Sequence, residues 1–600
     1  MISMLLFVPI TMALVTAHPA VPDPQFPDPQ FHDLTDDAGL GPEAIDQTVA
    51  RVAFADLNGN GDPDLLVDRH RVFLNEPAGA GQTSGGNSSA GRFFRELAPE
   101  ETGLEPLDRQ AVVALADLNN NGHLDLVVAE FIDRHHPDWV DHGRRTGWHA
   151  GRGDGTFGPR TPIETPPRPT VSIAIGDVNR NGHLDLYLGN TYRQYGGGWE
   201  GEPNDLLLHD GETGWTRAPL PEDGPAFNPE TDPGGRPTFG TMILNNPVQD
   251  ARGGAVMLLE LNYGRRWNRA WVQNDRGDWI DIAPELGLDG DDIRHGRHPE
   301  WLRERARSDP RFDRDDEKPF RANGNTFDAA VGDLTNDGRF DLFISEITHG
   351  WAGESSDRTR PLFNVRDVDT GGVRFVERGS FVVDRVPPPP EDPAVPHHWN
   401  QGDLFCALAD LNHSGRLDFI IASGDYPDDQ RLRFFVNTGE GAELAPNHWG
   451  IDHDGAQQIS LADVNGNGRL DLVVGQTFRR FTSEQREGRS PRLRLFMNMA
   501  DDLPPSVTLR LRGNGRDTNR NAIGAIVEIE SGGRVRRAQL IGPGGHAGKQ
   551  HDFLVHFGLG ADFDPSDTID ELRIIWPDRI GTVQTLRDVS PGRHVIEQDR

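Results

Sequence analysis

A single cysteine, Cys406 in the run FCALAD, excludes any disulfide within the chain; it reads as a small buried apolar residue. A chain of 600 residues can fold without such staples, because its core is large. Lysine is almost missing as well. It occurs only as Lys318 and Lys549, and every other basic residue is Arg, which fits a GC-rich coding bias or salt adaptation. Basic residues are scarce overall. Lys and Arg total 60 against 94 Asp and Glu, a net charge of −34 that opposes binding to nucleic-acid backbones. Long apolar runs are confined to the first seventeen residues, and no later stretch would span a membrane. Nucleophile elbow, phosphate loop and zinc-protease helix motif are all missing. A glycosidase carboxylate pair has no fixed sequence spacing, so that chemistry stays open.

What is present is a repeat, Asp-x-Asn-x-Asn-Gly-x-x-Asp, placed each time between two apolar runs. Six clear copies begin at Asp56, Asp117, Asp177, Asp333, Asp410 and Asp463. The flanks, such as AVVALAD and LDLVV around the second copy, are Val-, Ile- and Leu-rich with no polar face, as in strands buried on both sides. Each unit therefore reads as strand, loop, strand.

Oxygens at every second position converge when such a loop curls, and the glycine at position six permits the sharp turn. Several oxygens in a flexible geometry suit Ca²⁺. The expected ligands come from positions one, three, five and nine, with the backbone carbonyl of position seven. They are Asp56, Asn58, Asn60, Asp62 and Asp64 in the first loop, and Asp117, Asn119, Asn121, His123 and Asp125 in the second. The third offers Asp177, Asn179, Asn181, His183 and Asp185, and the fourth Asp333, Thr335, Asp337, Arg339 and Asp341. The fifth, the poorest in donors, has Asp410, Asn412, Ser414, Arg416 and Asp418; the sixth has Asp463, Asn465, Asn467, Arg469 and Asp471. Position twelve is apolar (Val67, Val128, Val474), so these are not EF-hands, which need Glu there and flanking helices. The competing reading of any one copy is a plain hairpin turn, since Asp/Asn/Gly clusters are also ordinary turn chemistry.

Spacings of about sixty residues between copies suit one four-stranded propeller blade each. The interval from 177 to 333 is too long for one, and Glu260-Leu-Asn262-Tyr-Gly264 inside it reads as a decayed loop. The expected fold is all-β: a seven-bladed β-propeller, with six clear calcium-loop repeats plus one decayed, followed by a small all-β C-terminal domain. The loops with their strands resemble the FG-GAP/VCBS repeats of integrin-α-type propellers across residues 45–500. GRGDGTFGP (151–159) and NDRGDW (274–279) are similar to that family's outer-strand turn.

After Asp501-Asp-Leu-Pro-Pro505 the repeats stop. NRNAIGAIVEIE, HFGLG and LRIIWPD then occur in order within 506–598 and resemble the ASPIC/UnbV domain, with Arg579 where that family usually has Gly. Together the resemblances imply a cartilage-acidic-protein-like chain that binds several calcium ions and whose C-terminal domain has no established substrate. Residues 1–17 read as a signal peptide, with Val15-Thr-Ala17 as the cleavage site, and 18–44 as an N-terminal linker. The front lacks Lys or Arg, so a mis-set start or retained anchor is the alternative.

Two insertions interrupt the repeats: the charged 289–323, where PEWLRERAR reads as a short helix, and the Pro-rich 386–398. Arg152-Gly-Asp154 reads as a turn of the repeat rather than an adhesion signal. His135, His136 and His142 with Asp133 and Asp138 lack metal-site spacing, and His551 and His556 read as structural. Asn87-Ser-Ser89 is a glycosylation sequon. The function expected is that of a secreted, periplasmic or cell-surface binding or adhesion module for a glycan, matrix polymer or protein, without nucleic acid or a membrane span. An extracellular polysaccharide lyase or hydrolase, or a scaffold subunit of an exported complex, are the alternatives.

Overall fold

The computed structural model describes residues 27–599 apart from short internal segments, the longest of them 80–89, 222–234 and 246–255. The signal-peptide and sequon readings lie outside the described residues. The described chain is all-β, built of small, mostly antiparallel sheets with short helices in the connections; Ser506–Arg512 and Gly592–Glu597 pair in parallel. The first sheet is Val52–Ala55, Asp64–Val67, Arg71–Pro77 and Arg92–Glu96, each strand paired with the next. The same up-and-down order recurs from Val112–Ala116 to Phe157–Pro162, from Thr170–Gly176 to Trp215–Ala218 and from Thr238–Asn245 to Trp279–Asp281. It recurs again from Thr326–Gly332 to Val373–Val376 and from Asn400–Ala409 to Ala442–Leu444, two groups joined where Ile347 pairs with Gly402.

The final group has Ala456–Ala462, Asp471–Gln476 and Arg494–Asn498 in sequence. Its outer strand is Phe31–Asp33, with Phe31 opposite Asn498. Part of the segment read as a linker is therefore a strand of the last sheet. Three residues are too few to show period-two alternation; tertiary packing decides them, with Phe31 stacked on Phe434 at 6.0 Å.

The hydrophobic gradient explains the layering. First and second strands are buried at nearly every position, as in Asp125–Ala129, whereas Trp279–Asp281, a fourth strand, has no buried residue. Leu115, Leu126, Ile173 and Leu186 pack between adjacent sheets. Each such side chain contributes about 1.5–3 kcal/mol on burial.

The C-terminal residues form two sheets, Ser506–Arg512 with Val555–Gly558 and Gly592–Glu597, and Ile526–Ser531 with Arg534–Gln539, Ile569–Ile575 and Val583–Val589. Their core of Leu509, Val527, Leu572 and Trp576 is continuous with Leu115 and Ile175 of the repeats. Between these sheets the segment 541–553 runs among the repeats and meets the first strand of every group. Ala547 and Gly548 share a small cavity with Val52. Gln550 exchanges hydrogen bonds with the backbone of Leu115 at 3.0 and 3.2 Å. Pro543 O accepts from Ile175 N, and Gly545–His546 pairs with Gly240 and Thr241. Lys549 Nζ donates to Asp328 Oδ2 at 2.6 Å and to Cys406 O at 2.6 Å. Asp552 N donates to Leu461 O at 3.0 Å. Gly545 is obligatory: its φ is +74°, and a Cβ there would sit 1.8 Å from Asp328 Oδ1.

One sequence reading is corrected. Glu260 and Asn262 lie within the second strand Val256–Asn262, not in the connection between first and second strands. That connection is 246–255, outside the described residues. Glu260 is a buried core acid, accepting from Tyr187 Oη and Trp271 Nε1, both at 2.5 Å. The turns at 151–159 and 274–279 do join third and fourth strands, and the helix in the charged insertion is Glu300–Ser308.

Candidate metal centres

All six Asp/Asn/Gly loops occupy the same place, the connection between a first and a second strand. Their internal geometry is almost superimposable in hydrogen-bond terms. At position one, Oδ2 of Asp56, Asp117, Asp177, Asp333, Asp410 and Asp463 accepts from the N–H of the position-six glycine at 2.7–3.0 Å. At position three, the side-chain oxygens of Asn58, Asn119, Asn179, Asn412 and Asn465 accept from the position-five N–H at 3.0–3.2 Å. At position five, Asn60, Asn121, Asn181, Asp337, Ser414 and Asn467 accept from the position-seven N–H at 2.8–3.3 Å. Each is a turn closed by its own side chain, and each such oxygen keeps a further lone pair.

Position nine does something else. One oxygen of Asp64, Asp125, Asp185, Asp341, Asp418 and Asp471 accepts from the N–H of position two, at 2.8–3.3 Å. The other accepts from a backbone N–H of the third strand, at 2.7–3.0 Å. This carboxylate clasps loop to sheet. Two left-handed residues shape each loop: the position-six glycine and position four, which is Gly59, Asn120, Arg180, Asn336, His413 or Gly466. At position seven, Arg339, Arg416 and Arg469 fold back to donate to third-strand carbonyls at 2.8–3.1 Å, and Asp62 pairs with Arg92. His183 packs against His209 at 5.6 Å, and the His123 ring lies against Gly153.

The electrostatics of the loops are unfavourable on their own. Burial raises every carboxylate at positions one and nine. Asp177, Asp333 and Asp410 are pushed up to about 6, and Asp64, Asp125 and Asp341 to about 7. Asp185, Asp418 and Asp471 rise well above the usual range; desolvation leads, with the second acid of the same loop adding to it. Two desolvated acids per loop favour a proton or a cation, and nearby arginines (Arg510 at Asp56, Arg520 at Asp117, Arg536 at Asp410, Arg593 at Asp463) offset the position-one acid only in part. Asp56 Oδ1, Asp410 Oδ1 and Thr335 Oγ1 are buried without a hydrogen-bond partner among the described residues. The donor set, hard oxygens with two acids, fits a hard divalent cation.

Other sequence candidates are not brought together. His135 bonds Glu202 at 2.9 Å, whereas His136 faces Asp138 at 4.0 Å. Among the described residues no group of three His, Cys, Asp or Glu side chains could hold a metal. Asp154 is tied into its turn by Thr156. His551 and His556 are half-buried, and desolvation pushes both down to about 3.

Sequence reasoning missed the cover over the loops. Arg593 bonds Gly61 O, Asn521 Oδ1 accepts from Asp117 N at 2.6 Å, and Arg516 O lies against Gly182. Arg537 reaches Gly338 O at 2.8 Å, Gly558 N reaches Asp410 Oδ2 at 3.1 Å, and Ser506 Oγ reaches Gly468 O at 2.7 Å. Every one of the six loops thus touches the C-terminal domain.

Comparison with family descriptions matches FG-GAP-like repeat at 117–188 and 410–474, and ASPIC and UnbV at 515–599. The chain carries FG-GAP-like repeats and an ASPIC and UnbV domain. A search of curated proteins finds no match. Among solved structures, a lectin from Agrocybe aegerita, described as recognising non-reducing terminal N-acetylglucosamine, is 14% identical over 66% of this chain and 79% of its own, with a TM-score of 0.34. A Lactobacillus plantarum protein is 11% identical over 68% and 89%, with a TM-score of 0.34. An exotype rhamnogalacturonan lyase is 10% identical over 95% and 92%, with a TM-score of 0.31. FG-GAP repeats are typical of extracellular proteins, and no helix among the described residues is long and apolar enough to cross a membrane.

Proposed function

We propose that the chain is an exported, calcium-stabilised β-propeller of seven blades that serves as a binding module for a glycan, matrix polymer or protein. The blade count rests on the four-strand groups, with Phe31–Asp33 closing the last one, and on segment 541–553 meeting the first strand of each. Calcium rests on the loops: desolvation raises the acids of positions one and nine even where an arginine such as Arg510 or Arg536 lies near, and Asp56 Oδ1 and Asp410 Oδ1 have no hydrogen-bond partner among the described residues. Asp56, Asn58, Asn60 and the carbonyl of Asp62, with their counterparts in the other loops, would hold the ion. Position nine would orient the loop and lend its charge. The bound ion would supply counter-charge and rigidity.

The observation that carries the binding reading is the docking of the C-terminal domain onto all six loops. Order in the loops then fixes a composite surface made by two domains on a rigid scaffold. Incubating the full-length protein with insoluble polysaccharides and matrix proteins, with calcium and with chelator, tests this. Calcium-dependent retention on at least one polymer or protein is expected, and retention on none would overturn it.

One observation favours a second reading, an extracellular polysaccharide-active enzyme. Glu346 and Asp357 are fully buried and both crowd Gly324, whose Cβ would lie 2.3 Å from Glu346 Oε2 and 2.7 Å from Asp357 Cβ. Glu346 Oε2 and Asp357 Oδ1 have no hydrogen-bond partner among the described residues. Turnover of a polysaccharide that disappears in Glu346→Gln would establish that reading. Equal activity in that variant would dismiss the pair.

A further inference from the structure

A recess of about 870 Å³ lies between the first two loops and the C-terminal domain. In a chain with 34 net negative charges, its wall holds four arginines: Arg510, Arg512, Arg516 and Arg520. Arg510 is already committed, donating to the buried Asp552 at 2.7 Å. Arg520 is held in place, its Nε on Asn120 O at 3.0 Å. Among the described residues, Arg512 has only the distant Glu597, at 3.9 Å. The side chain of Arg516 has no hydrogen-bond or ion-pair partner among the described residues.

Amide groups line the same recess in a fixed orientation. Asn521 Oδ1 is occupied by Asp117 N, and Gln598 Oε1 accepts from Asn514 N at 3.1 Å. The NH₂ of Asn521 and that of Gln598 are thereby left as donors without a partner among the described residues. Leu511 and Phe553 add apolar wall. The first two metal loops form the facing side, including the unpartnered Asp56 Oδ1.

Guanidinium forks match planar carboxylates and sulfates, primary amides match hydroxyls, and apolar wall suits the C–H face of a sugar ring. Resting on the binding-module reading, we propose that this recess binds an anionic saccharide, its acidic groups on Arg512, Arg516 and Arg520 and its hydroxyls on Asn521 and Gln598. Uronic carboxylates and sulfate esters share this chemistry. Cations in the first two loops would offset Asp56 and Asp117 and leave the arginine charge available.

The test is titration calorimetry on the full-length, calcium-loaded protein. The probes are an oligogalacturonate, a sulfated oligosaccharide, neutral maltohexaose and inorganic phosphate. Saturable binding of at least one acidic saccharide is expected, with maltohexaose and phosphate much weaker. Arg512→Glu and Arg516→Glu should each weaken it by about tenfold or more. Arg276→Glu, on an exposed turn remote from the recess, controls for the change in net charge, and an unchanged melting temperature controls for folding. Which acidic probe responds distinguishes carboxylate from sulfate. Acidic-saccharide binding that survives both recess variants would overturn the site while leaving the binding-module reading intact. Equal affinity for maltohexaose, or for phosphate, would overturn the ligand class. Binding of no saccharide would overturn this inference, and the polymer and protein retention assay decides separately whether the broader reading also fails.

Discussion

Lys549→Met removes a buried cation that bridges the strands Thr326–Gly332 and Asn400–Ala409. Lys549 is 7% exposed; Asp328, its partner at 2.6 Å, is fully buried. The substitution strands an acid that keeps only the backbone donors Cys406 N and His546 N, at 3.0 and 3.1 Å. It also takes a donor from the carbonyls of Ala329 and Cys406. Breaking a buried pair from one side costs about 3–5 kcal/mol, because the remaining charge is uncompensated. The neutral pair Asp328→Asn with Lys549→Met should be less destabilised than the sum of the singles, with about 1–3 kcal/mol of coupling. Urea unfolding by tryptophan fluorescence reads the midpoint. Protease cleavage near Asp501–Pro505 reads release of the C-terminal domain, since a chain this large need not unfold in one step. Wild-type midpoint and cleavage rate in Lys549→Met, or strict additivity in the double variant, would refute the claim that segment 541–553 pins the two parts together.

Asp471→Ala removes the acceptor for Val464 N and Asn498 N, leaving two buried donors unpaired. A loss of about 2–4 kcal/mol is expected, with the melting temperature as the check and an unchanged value as the contrary result. Three desolvated histidines, one buried and two half-buried, give an acid-side dependence. His546, His551 and His556 are held down to about 3 by burial, against 6.5 when unfolded. The unfolded chain therefore binds more protons below 6.5, so stability is present above that pH and lost as pH falls from 6.5 towards 3. At pH 4.5 each histidine would account for up to about 2.7 kcal/mol. His551→Gln should flatten that limb, and an equally steep limb in the variant would contradict the assignment.

The loops were legible because a period-two row of oxygens ending in glycine repeats with the same flanks, so Asp117–Asp125 and Asp463–Asp471 show local chemistry directly. Position four was missed although Asn and Gly there signal a left-handed residue; His413 and Arg180 hide it. Glu260–Gly264 misled because acid, Asn and Gly at the right intervals also occur at the end of a strand. Phe31–Asp33 and segment 541–553 were illegible for another reason. Their conformations are set by partners hundreds of residues away, as with Gln550 on Leu115. A glycine-rich stretch with one lysine and two histidines reads locally as a turn. The arginine-lined recess needs two domains, and no spacing within either one announces it.

The central proposal is that cations occupy the six loops. If each loop binds calcium with a Kd of about 0.1 mM, then 1 mM calcium adds ~1.4 kcal/mol per loop, or ~8 kcal/mol for six, comparable to the net stability of a domain. The direct measurement is bound-metal content and thermal melting of the purified protein, first with calcium and then with excess chelator. Several calcium ions per chain and a large chelator-induced fall in Tm are predicted. No bound calcium and an unchanged Tm would mean that the Asp/Asn/Gly loops are plain hairpin turns closed by their own side chains, and the calcium account would be wrong.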